Sequence, residues 1–153
     1  MSKRRINKVA VVGSGIMGSA IACHFANIGV EVLLLDIIPR ELTDKETAKG
    51  LTLEDKEVRN RLVNQALASS IKSKPAPLYN SAFAKRITTG NLEDDIAKVA
   101  QVDWIIEVVI ERLDIKQKVF ENLEKHRTPG TLITSNTSGI PIGFMSEGRS
   151  EDF

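Results

Sequence analysis

Three groups of residues in this chain have types and spacings that could do chemistry. In the first, Gly13, Gly15 and Gly18 stand in G-x-G-x-x-G order around Ile16 and Met17, directly after the apolar run 9–12. Gly13 can take the backbone angles of a tight turn, Gly15 lets the main chain approach a pyrophosphate, and Gly18 lets a helix lie close to a strand. A helix starting there aims free N–H groups and a partial positive charge at phosphates. Asp36 follows 18 residues after Gly18. A carboxylate at that interval can accept hydrogen bonds from a ribose 2′- and 3′-hydroxyl pair and would repel a 2′-phosphate. The dinucleotide expected here is NAD rather than NADP.

The second group is Glu107-x-x-x-Glu111-x-x-x-x-Lys116, two carboxylates and an amine around a strand–helix junction. A carboxylate and an ammonium there could grip the hydroxyls of a nicotinamide ribose. They could equally be a helix N-terminal acid and an exposed lysine one turn on, worth little energetically. The third group, Ser135-Asn136-Thr137-Ser138-Gly139, is dense in small hydrogen-bonding groups. By itself it could be no more than an Asx or ST turn leading to a helix at Pro141.

The elements that must position these groups follow from the pattern of the chain. Residues 9–12 read as a buried strand. A helix with an apolar stripe at Met17, Ile21, Phe25 and Ile28 follows, then a second strand over residues 30–35 that ends at Asp36. Thr43 and Glu46 offer a capping box with Gly50 as a stop, and Thr52 with Asp55 offers a second box opening a longer helix through Val58, Leu62, Ala66, Leu67 and Ile71. Pro75 and Pro77 break that helix. Residues 39–85 thus form a helical hairpin inserted between strands two and three, longer than a crossover requires. Strand three is expected over 86–89, a helix capped by Asn91 after it, strand four over 104–110, a helix over Leu113–His126, and strand five over 131–134. The alternation means an α/β fold of Rossmann type, a doubly wound parallel sheet. Ligands on such sheets sit at the carboxyl ends of the strands, and all three groups map to that edge.

Composition sets the class. Of 153 residues, 42% are hydrophobic and 27% charged, and the formal net charge of +1 supplies no global field for nucleic acid or an acidic membrane. Residues 1–7 read as a tail in which Lys3, Arg4 and Arg5 are solubilising, and residues 8–153 as the folded domain. No apolar run approaches membrane-spanning length, and the single cysteine, Cys23, excludes an intrachain disulfide, so a cytoplasmic location is expected. Lys56, Arg59, Arg61, Lys72 and Lys74 on the insertion could receive substrate phosphates, although Glu54, Asp55 and Glu57 interleave with them and favour a solvated face. His24 is expected to be packed within the first helix, and His126 to sit at a helix C-terminus on the surface. Two isolated histidines and one cysteine give no metal-site spacing.

Taken together, VAVVGSGIMGSAIA at the start, LLLD at 33–36, EVVIERLDIK at 107–116 and SNTSGIPI at 135–142 resemble the NAD-binding domain of the 3-hydroxyacyl-CoA dehydrogenases of fatty-acid β-oxidation. KPAPLY at 74–79 and SNTSGIP look most like the bifunctional members fused to an enoyl-CoA hydratase module. The resemblance implies that Gly13, Gly15, Ile16, Met17, Gly18 and Asp36 hold the adenosine and pyrophosphate of NAD. It implies that Glu111 and Lys116 contact the cofactor, and that Ser138 touches both cofactor and the 3-oxygen of a 3-hydroxyacyl-CoA substrate. The chain departs from the single-domain members at Arg112 and at Gly139, where they often have asparagine and a second serine. The family's general base is a histidine in an H-x-F-N-P-type segment, expected beyond Phe153 and followed by a helical domain that forms the dimer. The chain is therefore expected to be the NAD-binding part of a longer, homo-oligomeric enzyme, with little activity alone. Two alternatives stand beside this one: the NAD-binding half of another β-hydroxyacid dehydrogenase, and a free-standing NAD-sensing module without catalysis.

Overall fold

Short apolar runs bounded by glycine or by acids become parallel strands here, because each is covered on both faces. The computed structural model describes residues 5–153. Its five strands are β1 (Lys8–Val12), β2 (Glu31–Asp36), β3 (Ile87–Asn91), β4 (Trp104–Glu107) and β5 (Leu132–Ser135), in the order β3-β2-β1-β4-β5. All four pairings are parallel, with Val12 in register with both Leu35 and Glu107, and Glu107 with Ser135. The order reverses at β1, which opens a crevice between the ends of β1 and β4.

Alternate residues feed two cores. Val9, Val11, Val32 and Leu34 face helix α1 (Ile16–Asn27) and α4 (Arg61–Ile71). Ala10, Val12, Leu33 and Leu35 face the opposite layer, built from α5 (Leu113–His126), α6 (Ile142–Met145) and a 3₁₀ segment, Ile96–Gln101. The doubly wound sheet is thus present as the alternation of elements requires. Of the basic tail, Lys3 and Arg4 lie outside the described residues. Ile6 already packs on the first core, and the Asn7 N–H bonds Asp103 at 2.8 Å.

Helix α1 buries a different stripe from the one expected. Gly18, Ser19, Ala22, Cys23 and Ala26 face the sheet, with Ile21 and Phe25 packed at the margin, whereas Met17 and Ile28 are exposed. Small side chains bring the helix axis close to the strands, and larger ones are pushed to the flanks. His24 is exposed too, with Phe25 edge-on to its ring, rather than packed inside.

The insertion holds more than a hairpin. Helix α2 (Asp44–Ala48) carries the full Thr43–Glu46 capping box, with Gly50 at φ +73 after it. At the second box the Asp55 carboxylate takes the Thr52 N–H at 2.6 Å and its O–H at 2.9 Å, so α3 (Lys56–Arg59) begins only after Asp55. The expected single helix then breaks at Asn60, whose buried amide oxygen receives Asn91 at 2.9 Å, and α4 begins afresh.

β3 runs on through Gly90 and Asn91. A Cβ at Gly90 would lie 2.5 Å from Asp95 Oδ2, which is why glycine stands there. Asn91 closes a turn instead of capping an α-helix, and the next element is the 3₁₀ segment behind Asp95. β4 stops at Glu107, short of the expected 110, because its carboxylate takes the Val109 N–H at 2.6 Å and draws the chain out of the ladder. Helix α5 matches its expected bounds, and β5 lies one residue later than expected. Among the described residues, no helix is long and apolar enough to cross a membrane.

Candidate functional site

The glycine turn shows which of its residues serve the fold and which leave room. Gly13 sits at φ +107, and a Cβ on it would lie 2.5 Å from the Val108 carbonyl oxygen. A Cβ on Gly18 would overlap the Gly13 carbonyl oxygen, so α1 can rest on the turn only with glycine at that position. A Cβ on Gly15 would meet nothing within 4 Å. Gly15 caps α1 without a side-chain hydrogen bond, leaving the first N–H groups of a 12-residue helix facing that open space. Ile16 is 90% and Met17 53% exposed beside it. A dinucleotide's pyrophosphate fits this arrangement: space at Gly15, free donors, and the positive end of a helix dipole.

Asp36 is held in place at the end of β2. Its Oδ2 receives the Ser14 N–H at 2.9 Å and the Ser14 hydroxyl, and its Oδ1 receives the Ile37 N–H at 2.7 Å. Ser14 is itself buried, and the Ser19 hydroxyl bonds its carbonyl at 2.6 Å. Ser14 is a residue that sequence reasoning missed, since a small polar residue inside a glycine turn carries no distinguishing signal. From this turn a cavity of about 500 Å³ reaches Ser69 of α4 and Ser73 just beyond it, so the insertion walls one side of the site.

The second and third groups meet across the β4–β5 edge. Lys116 is 1% exposed, so it is not a surface lysine one turn beyond a helix N-terminal acid. Its ammonium bonds Glu107 at 2.8 and 3.0 Å, reaches the Val109 carbonyl at 3.3 Å, and lies 3.3 Å from Glu111 Oε2. Glu107 is fully buried and also accepts the Ser135 hydroxyl. Glu111 is the solvent-facing member, with its side chain 44% exposed. Its Oε1 takes the Thr137 hydroxyl and the Gly139 N–H at 3.1 Å. These donors, Thr137 first and then Gly139, with Lys116 behind them, bring the Glu111 carboxyl down to about 2. Ser138 is exposed on the loop so held. Glu107 had a legible signal: an acid in an otherwise apolar parallel strand must have a charged partner.

The basic residues of the insertion do not form a free cluster. Arg59 is paired with Glu54, Glu93 and Asp94, and Arg61 with Glu46, while Lys56, Lys72 and Lys74 are exposed. His126 lies at the end of α5 with Nδ1 at 2.8 Å from the Asn122 carbonyl, away from the site.

Comparison with known proteins gives one consistent result. Residues 8–152 match the family described as "3-hydroxyacyl-CoA dehydrogenase, NAD binding domain". The chain is 54% identical over 150 residues to a protein of Bacillus subtilis (strain 168) named probable 3-hydroxyacyl-CoA dehydrogenase, covering 98% of this chain and 19% of that protein. It is 35% identical over 150 residues to a putative fatty acid oxidation complex trifunctional enzyme of Rickettsia felis, again covering 98% of this chain and 19% of that protein. The crystal structure of 3-hydroxybutyryl-CoA dehydrogenase from Escherichia coli K12 superposes with a TM-score of 0.64 at 28% identity, over 97% of this chain and 28% of that one. This chain therefore spans a minor part of the length of the relatives it matches. A glycine turn with room at Gly15, an acid fixed at the end of β2, the Glu107–Lys116–Glu111 cluster and the match over residues 8–152 agree: the chain belongs to the family of NAD-binding domains of 3-hydroxyacyl-CoA dehydrogenases.

Proposed function

We propose that this chain is the cofactor-binding part of an enzyme that interconverts (S)-3-hydroxyacyl-CoA and 3-ketoacyl-CoA. The observation that carries the reading is the convergence of the Gly13–Asp36 half and the Glu107–Ser138 half on one sheet edge across the β1–β4 crevice. Gly13, Gly15, Ile16, Met17 and Gly18 would hold the pyrophosphate of NAD, and Asp36 the adenosine ribose. Glu111, backed by Lys116, would meet the nicotinamide ribose. When bound, NAD accepts the hydride from the substrate's C3. Ser138, exposed beside this edge, would donate a hydrogen bond to the substrate's 3-oxygen and orient it, while the hydroxyl proton passes to a base. A homo-oligomeric whole protein belongs to the same reading, as does a cytoplasmic location, which a bacterial relative of the same family supports.

Calorimetric titration of the chain with NAD, NADH and NADP tests the cofactor half. NAD and NADH should bind, and NADP more weakly, because Asp36 faces the position of the extra phosphate. Tighter binding of NADP overturns the Asp36 assignment.

A further inference from the structure

The strongest unassigned group at this edge is Glu107, which sits beneath the residues expected to touch the cofactor. Its carboxylate is 0% exposed and receives four contacts: Lys116 at 2.8 and 3.0 Å, the Val109 N–H at 2.6 Å, and the Ser135 hydroxyl. A carboxylate has about four lone-pair sites, so this one is saturated. Burying an ion pair costs desolvation that apolar residues of the same size would not, and such replacements are often neutral or stabilising. Stability alone therefore does not account for a buried charged pair at the end of an interior strand.

Its connections do. Ser135 Oγ, while donating to Glu107, accepts the Thr137 N–H at 3.1 Å. The Thr137 hydroxyl reaches Glu111, Glu111 Oε2 faces Lys116 at 3.3 Å, and Lys116 returns to Glu107. The result is a closed ring of five residues from β4, α5, the loop between them, the end of β5 and the loop after it. Ser138 sits directly beside the Thr137 link. Main-chain bonds reinforce the ring, since the Glu107 carbonyl accepts the Asn136 N–H at 2.8 Å.

We infer that Glu107 is a positioning residue: through Lys116 and Ser135 it fixes the Glu111 carboxylate and the Ser138 loop as a single unit at the cofactor edge. The part of this inference that concerns NAD rests on the function proposed above. The part that concerns the ring stands on the geometry of the ligand-free chain.

The test uses the full chain carrying Glu107→Gln, Lys116→Met, or both. Amide hydrogen exchange is read without cofactor, and NADH binding by fluorescence. Glu107→Gln should speed exchange at the Thr137 and Gly139 amides by about tenfold or more, with β1 amides such as Val11 unchanged. It should weaken NADH binding by about tenfold. Because Glu107 acts in part through Lys116, the loss in the double variant is smaller than the sum of the two single losses. Unchanged exchange at Thr137 and Gly139 overturns the inference, as does loosening spread evenly through the sheet or additive losses in the double variant. Should Glu107→Gln fail to fold, Ser135→Ala keeps the ion pair and removes one link. It should loosen the Gly139 amide, which Ser135 does not touch, as well as Thr137, and unchanged Gly139 exchange overturns the inference equally. Failure of the unsubstituted chain to bind NADH would overturn the cofactor assignment, and the exchange result would still decide the role of Glu107.

Discussion

Glu111 and Thr137, 26 residues apart in sequence, are joined by a hydrogen bond from the threonine hydroxyl to Glu111 Oε1, and the Gly139 N–H shares that oxygen at 3.1 Å. Ser138 lies between the two donors, so one carboxylate oxygen pins its backbone on both sides. The loop that presents Ser138 thus takes its shape from an acid on the neighbouring strand–helix junction.

This latch should be legible as a titration. The Glu111 carboxyl lies at about 2 against an ordinary 4.5, chiefly because the Thr137 hydroxyl and then the Gly139 N–H bond its charged form. A depressed carboxyl contributes stability that is complete above pH 4.5 and is lost as pH falls through about 2. At neutral pH the loop therefore stays latched. Thr137→Val removes the largest cause and should move the Glu111 midpoint upward, as followed by carbon-detected NMR of the carboxyl. A midpoint unchanged by that substitution would mean the hydroxyl does not hold the acid.

Gly18 and Gly15 should separate by experiment into fold and binding. A methyl group at Gly18 overlaps the Gly13 carbonyl oxygen, a rigid backbone neighbour. Gly18→Ala is expected to destabilise the chain by about 3 kcal/mol or more. Gly15 has a negative φ, −56 with ψ −174, and open space beyond its α-carbon. Gly15→Ala should change stability by less than about 1 kcal/mol. It should nevertheless weaken NADH binding by about tenfold or more, because the methyl group occupies the approach of the pyrophosphate. Urea denaturation and fluorescence titration on the two variants check the contrast, and equal stability losses would refute it.

Asp36 and Ser14 differ in the same way. Asp36→Ala removes the acceptor for the ribose hydroxyls and should cost about 1.5–3 kcal/mol of NAD affinity, about ten- to a hundredfold. It should also narrow the preference over NADP, since the repelling charge is gone. Ser14→Ala removes only the hydroxyl bond to Asp36, while the Ser14 N–H still holds Oδ2 at 2.9 Å. Its effect on NAD affinity should stay within about threefold. Calorimetry with both cofactors measures each shift, and a larger loss for Ser14→Ala than for Asp36→Ala would reverse the assignment.

The parts of the fold that were legible in the sequence are those set by local pattern and backbone chemistry. Gly13, Gly15 and Gly18 with Asp36, the Thr43–Glu46 box and the bounds of α5 depend on neighbours within a few residues, and each lies where spacing put it. What was not legible depends on partners far along the chain. β4 ends early because Glu107 is engaged with Lys116 and Ser135, the insertion helix breaks at Asn60 because Asn91 claims its side chain, and α1 turns its small residues inward because the sheet lies close. The burial of Lys116 was hidden for the same reason. A lysine nine residues after an acid reads as surface until the strand and helix are folded together.

Asn91 is where that long-range control can be measured. Its Oδ1 accepts the Glu93 N–H at 3.0 Å and the Asp94 N–H at 2.8 Å, and its Nδ2 donates to Asn60 and Asp94, both at 2.9 Å. The amide thus closes the turn after β3 and at the same time fixes the break between α3 and α4. Asn91→Ala leaves the buried Asn60 oxygen and two main-chain donors without partners, and should cost about 2–4 kcal/mol. Asn91→Asp keeps the acceptor for the turn but sets a carboxylate against the Asn60 oxygen and the Asp94 carboxylate. It should be at least as destabilising as alanine. Urea midpoints give the energies, and faster tryptic cleavage at the exposed Lys56 and Lys72 reports whether the insertion has come loose from the sheet. If Asn91→Asp were nearly neutral, the turn alone would explain Asn91, and the break at Asn60 would need another cause. If both variants free the insertion, the wall that α4 gives the cavity beside the glycine turn depends on an asparagine on the opposite side of β2 from that turn.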